Sequence, residues 1–139
     1  MILNISKFEN KLRIKIKNKK LLTNSLTHKS ANQFNNNEKL EFLGDRVLGL
    51  AISSIIFKKF NKNNEGDLSK KLSYLVQKNF LYKISINLKF EKFLKFSSKN
   101  NDKMNVSILA DSVESLIGAI YLDGGFRNAR KFIESTWGP

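Results

Sequence analysis

Residues 37–60, NEKLEFLGDRVLGLAISSIIFKKF, decide how the rest of the chain must fold. The spacing predicts one long helix with Glu38, Glu41 and Asp45 at i, i+3 and i+7. At about 100° per residue these three carboxylates share one narrow face. Leu40, Leu43, Val47, Leu50 and Ala51 are expected on the opposite side, as an apolar back. Beyond Val47 the helix is apolar nearly all round, with Ser53 and Ser54 its only hydroxyls, which predicts a place in the middle of a helical bundle. Ionised groups are costly on such a helix, and that conflict marks a candidate functional site.

A second stretch repeats the pattern. Residues 106–122, VSILADSVESLIGAIYL, form a predicted helix with Asp111 and Glu114 at i, i+3, and Gly118 completes their face without a side chain. Leu109, Val113, Leu116 and Ile120 make the opposite apolar face, and Gly124-Gly125 is read as the helix stop. An isolated pair of helix acids is usually a solvated face. Two such sets, both on strongly apolar helices of an acid-poor chain, point to something more. Carboxylates gathered from two buried helices either protonate or share divalent cations.

The 139 residues fit one domain with a single sizeable core. There are 25 Lys+Arg against 12 Asp+Glu, a formal charge of +13 that attracts polyanions, nucleic acid above all. The Lys and Asn excess also fits codon bias, so charge alone is weak evidence of function. The absence of cysteine excludes disulfides, thiolate metal sites and a Cys nucleophile, and suits a reducing compartment. With one histidine, the available metal chemistry is oxygen ligation, which favours Mg²⁺ with Mn²⁺ as a substitute. No apolar run reaches membrane-spanning length and no signal peptide is visible, so a cytoplasmic protein is expected, with neither a membrane partner nor a small-molecule cofactor.

The remaining elements read as follows. Leu3, Ile5, Phe8 and Leu12 predict a short first helix, and Ile14 and Ile16 an extended connection. Asn18 is placed to cap a second helix running to His28, itself read as a helix-end packing residue rather than a catalyst. The asparagines at 35–37 supply the cap of the central helix. Residues 61–64 break it, and a new helix starts near Glu65 with Asn64 and Asp67 placed like a capping box. Leu68, Leu72, Leu75, Val76, Phe80 and Tyr82 carry that helix toward Ile86. Phe90, Phe93 and Phe96 are read as core packing rather than base stacking, and Lys99 and Lys103 as phosphate contacts in a polar loop. Residues 126–137 form a last short helix. Phe42 projects toward the acidic side of the central helix, away from its apolar back, and is read as a symmetric dimer contact.

Together these motifs resemble a known family. NEKLEFLGDRVL is similar to the ribonuclease III signature, LADSVESLIGAIYLDGGF to its second conserved block, and EGDLSKKLSYLV and LLTNSLTHKS to the segments around them. The match covers about residues 8–133. The resemblance implies an all-α endonuclease domain that forms a symmetric homodimer with a valley for double-stranded RNA. By position it assigns metal binding to Glu41, Asp45, Asp111 and Glu114, with Asp45 and Glu114 catalytic. Glu38 and Glu65 match the family's additional cleft acids, and Phe42 its aromatic plug into the partner. The implied reaction is Mg²⁺-dependent hydrolysis of both strands of an RNA duplex, as in rRNA and mRNA precursor processing, leaving 5′-phosphate and 3′-hydroxyl ends with a short 3′ overhang. Arg46 departs from the family pattern, as does Asn105-Val106. On this reading residues 1–139 are a single endonuclease domain, a fragment without the double-stranded-RNA-binding domain that usually follows. The rival reading is a non-catalytic RNase-III-like module that binds RNA or the ribosome, against which the retained acids count. A DNA-compacting protein would explain the charge and leave the acidic faces without a purpose.

Overall fold

A computed structural model describes residues 5–97 and 105–138. Among them are six α-helices: α1 (Ile5–Leu12), α2 (Lys19–Ser25), α3 (Glu38–Lys59), α4 (Glu65–Val76), α5 (Lys78–Asn87) and α6 (Val106–Trp137), with a 3₁₀ turn at Phe90–Lys92. The only β pairing among the described residues is an isolated bridge, Thr27 to Lys95. Leu3, Lys99 and Lys103 lie outside the described residues.

Local chemistry sets the helix starts. The Asn18 side chain accepts from the amides of Lys20 and Leu21, and Asn64 accepts from Asp67 N at 2.9 Å. At α3 the asparagine run acts through Asn36, whose Oδ1 accepts from Glu38 N at 3.1 Å. Asn37 makes no side-chain cap bond.

The bundle is built on α3 and α6, which share the most extensive packing in the molecule. Leu48, Ala51, Val113, Leu116 and Ile117 are fully buried between them and their neighbours. Two glycines let the helices touch backbone to backbone. A Cβ on Gly44 would overlap the Glu114 carbonyl, and one on Gly118 would overlap the Leu40 carbonyl. Phe8 packs on Phe90 and Phe93 at 5.4 and 4.8 Å between ring centres, and both of the latter are buried, as expected for core residues.

Several expectations need correction. The helix expected to run from Glu65 toward Ile86 is two helices, broken at Gln77, whose φ −69°, ψ 155° is extended backbone. The expected break in α6 is present: Gly125, at φ +84° and ψ 178°, is non-helical and suits a residue without Cβ, so Val106–Trp137 is two helical stretches, the second over residues 126–137. Leu50 is 61 % exposed, not part of the apolar back. At 100° per residue it lies about 20° from Phe57 and about 60° from Val47, on the margin of the buried face. For the same reason α3 is buried on one side only, and Phe57 is also exposed.

Candidate metal centre at the helix crossing

The glycine-mediated crossing brings the acids of α3 and α6 together. One carboxylate oxygen each from Glu41, Asp111 and Glu114 lie within 4.8 Å of one another. Glu114 is buried; Glu41 and Asp111 are half-buried. Burial pushes the Glu114 carboxyl up to about 9, reinforced by a hydrogen-bonding contact with the Asp45 carboxylate and by the charges of Asp45, Asp111 and Glu41. Burial likewise raises Glu41 to about 7, with Asp111, Glu38 and Asp45 adding to the effect and Lys78 opposing it. Asp111 is raised by burial, against the pull of Lys78 and a hydrogen bond with Glu41. Partly withdrawn from water, these groups raise one another's hold on a proton. A cation supplied among them restores the balance, and an all-oxygen donor set suits a hard divalent ion.

The other predicted residues surround this group. Asp45 stands at its outer edge beside Glu114, with its side chain 54 % exposed and 3.3 Å from the Arg46 guanidinium. Glu38 and Glu65 are exposed in the first turns of α3 and α4 and lie outside the three-carboxylate group. Phe42 is 62 % exposed, and the Arg46 guanidinium carbon sits 4.0 Å from its ring centre. His28 lies two residues past the C-cap of α2. Its Nδ1 accepts from Ser30 N at 3.1 Å, and its ring packs on Phe96. Burial and Lys29 lower its pKa against the opposing charges of Glu38 and Asp111.

Sequence reasoning missed two residues. Gly44 shares the role assigned to Gly118, and its signal was available: a glycine one turn from an acid on an otherwise bulky helix. Lys78 donates from Nζ to Ser107 Oγ at 2.6 Å and lies 4.0 Å from Asp111 Oδ1. One helix read across residues 65–86 gives Lys78 nothing to set it apart from the other lysines. An apolar cavity of about 420 Å³, lined by Ile52, Ile56, Tyr74, Leu75 and Trp137, includes none of the clustered acids.

Residues 18–138 match the family model described as Ribonuclease-III-like. The chain belongs to the ribonuclease III family. It is 43 % identical over 136 residues to the Ribonuclease 3 of Pelagibacter ubique, covering 96 % of this chain and 61 % of that protein. The chain thus spans about three-fifths of the length of that curated relative. Among solved structures, the nuclease domain of ribonuclease III from Campylobacter jejuni matches with a TM-score of 0.91 at 42 % identity, covering 98 % of this chain and 95 % of that one. A second structure of that domain, described as flexible in a region involved in dimer formation, matches with a TM-score of 0.88 at 44 % identity, covering 96 % and 98 %. The all-α RNase III architecture expected from the motifs is therefore the observed one. No helix among the described residues is long and apolar enough to cross a membrane.

Proposed function

We propose that this chain is a divalent-metal-dependent endoribonuclease that hydrolyses both strands of double-stranded RNA and works as a homodimer. The observation that carries the reading is the meeting of Glu41, Asp111 and Glu114 across the α3–α6 crossing, in a chain of net charge +13. The basic exterior attracts the phosphate backbone, and shape rather than sequence selects the A-form duplex. In the site, Glu41, Asp111 and Glu114 would hold the ion, and Asp45 would work at its solvent-facing edge. Mg²⁺, or Mn²⁺ in its place, supplies an activated water and neutralises the charge developing on phosphate and leaving oxygen. Water adds at phosphorus, the bond to the 3′ oxygen breaks, and 5′-phosphate and 3′-hydroxyl ends remain.

The homodimer rests on the outer face of α3. Phe42, Leu50 and Phe57 are 62 %, 61 % and 68 % exposed. Their spacing places them on one stripe beside the acidic face. The midpoint of Phe42 and Phe57 falls at Gly49-Leu50, and the space outside Gly49 is open. An antiparallel second copy with its two-fold axis there would set Phe42 of each chain against the far end of the other α3. Phe42→Ala is expected to shift sedimentation from dimer to monomer; an unchanged dimer would give the aromatic another role.

The activity is tested with a long RNA duplex at low salt, with Mg²⁺ or with chelator. Cleavage should require the metal and fall by more than about a hundredfold in Glu114→Gln and in Asp45→Asn. Binding without cutting by the folded native chain would favour the non-catalytic RNA-binding reading instead.

A further inference from the structure

Lys78 occupies an unusual place for a lysine. It opens α5, where the partial positive charge of a helix N-terminus disfavours a cation, and no acid in the first turn of α5 offsets it. The compensation comes from α6. Its ammonium donates to Ser107 Oγ at 2.6 Å and stands 4.0 Å from Asp111 Oδ1. Ser107 and Asp111 are one helical turn apart on α6, so the ammonium, on a side chain 54 % exposed, lies along the solvent-facing rim of the carboxylate group. Asp111 thus lies near both Lys78 and the carboxylates of Glu41 and Glu114.

We propose that Lys78 is a tethered counter-cation that competes with the divalent ion for the α3–α6 carboxylates and so sets the ion concentration at which the site fills. The inference rests on the reading of that group as a metal site. With no ion bound, the ammonium partly neutralises Asp111 and limits the repulsion among the acids. Once a dication enters, the two positive charges oppose each other, and the ammonium gives up its contact with Asp111. At a separation of several ångströms in a solvent-exposed setting, this repulsion corresponds to about a tenfold weaker metal affinity than the carboxylates alone would have. Lys78 is therefore a positioning residue, acting on the ion through Asp111.

The test is a Mn²⁺ titration of the metal-free protein without RNA, followed by the electron paramagnetic resonance signal of the free ion. Lys78→Met and Lys78→Gln should each bind Mn²⁺ about tenfold more tightly than the native chain, whereas Lys78→Arg, which keeps the charge, should bind as the native chain does. The gap should narrow as salt rises. Equal or weaker binding in both neutral variants would overturn the proposal. Glu114→Gln separates the two layers. If it abolishes binding while the neutral Lys78 variants bind like the native chain, only the role of Lys78 falls. If Glu114→Gln leaves Mn²⁺ binding untouched, the metal-site reading falls and the role of Lys78 with it.

Discussion

The acids of α3 and those of α6 look alike as pattern, each set spaced to share one face of a helix, yet the fold treats them differently. Glu114 on α6 is 7 % exposed and keeps its proton to about pH 9. Asp45, opposite it on α3, has a side chain 54 % exposed and leans on Arg46 at 3.3 Å. The asymmetry comes from the crossing. Gly44 lets α6 press its Glu114 carbonyl onto α3, so the side chain of that same residue is enclosed, while Asp45 stays at the open mouth. The carboxylate group therefore has one enclosed side and one side open to solvent.

Closing the crossing should remove the difference, with the largest effect on stability. Gly44→Ala and Gly118→Ala each push a Cβ into a facing carbonyl and are expected to cost about 3 kcal/mol or more, read as a large drop in thermal midpoint, with loss of metal binding. Gly66 is the contrast. A Cβ there meets only Asn64 Oδ1 at 3.5 Å, so Gly66→Ala should stabilise by about 0.5–1 kcal/mol by restricting the unfolded chain.

pH sharpens the comparison more gently. Unfolded, Glu114 would release its proton near 4.5; folded, it does so near 9. Between those values the folded state binds more protons, so the stability this group contributes is complete below pH 4.5 and is lost as pH climbs through 9. Glu41, raised to about 7, adds to the lower part of the same decline. The thermal midpoint of chelated protein should therefore fall with rising pH, and Glu114→Gln should flatten the curve. Asp45→Asn should change it least, trimming only the share of the Glu114 shift that Asp45 causes. A curve that rises over this interval would remove the burial difference from the account.

Much of this was legible in the chain. The acidic faces of α3 and α6 follow from helical periodicity alone, and Gly118 already stood out as a missing side chain on an acidic face. What periodicity cannot show is depth. Glu114 and Asp45 are equivalent as pattern, and only the tertiary crossing decides which is enclosed. The break at Gln77 carries neither Gly nor Pro, so no local signal marked it, and Lys78 stayed hidden with it. Leu50 was misplaced because an apolar residue on the margin of a helix reads the same whether it faces a core or solvent. Gly124-Gly125 was legible as the break in α6, because Gly125 adopts a φ of +84° that favours a residue without Cβ, and Ala129, Phe132 and Ile133 bury one face of the stretch beyond it.

The central claim is that α3 and α6 jointly hold one divalent centre. Anomalous diffraction from crystals of the protein soaked in Mn²⁺ tests it most directly. The expected result is a manganese peak among Glu41, Asp111 and Glu114 that vanishes in Glu114→Gln. Manganese bound by the carboxylates of one helix only, or only elsewhere on the surface, would contradict it.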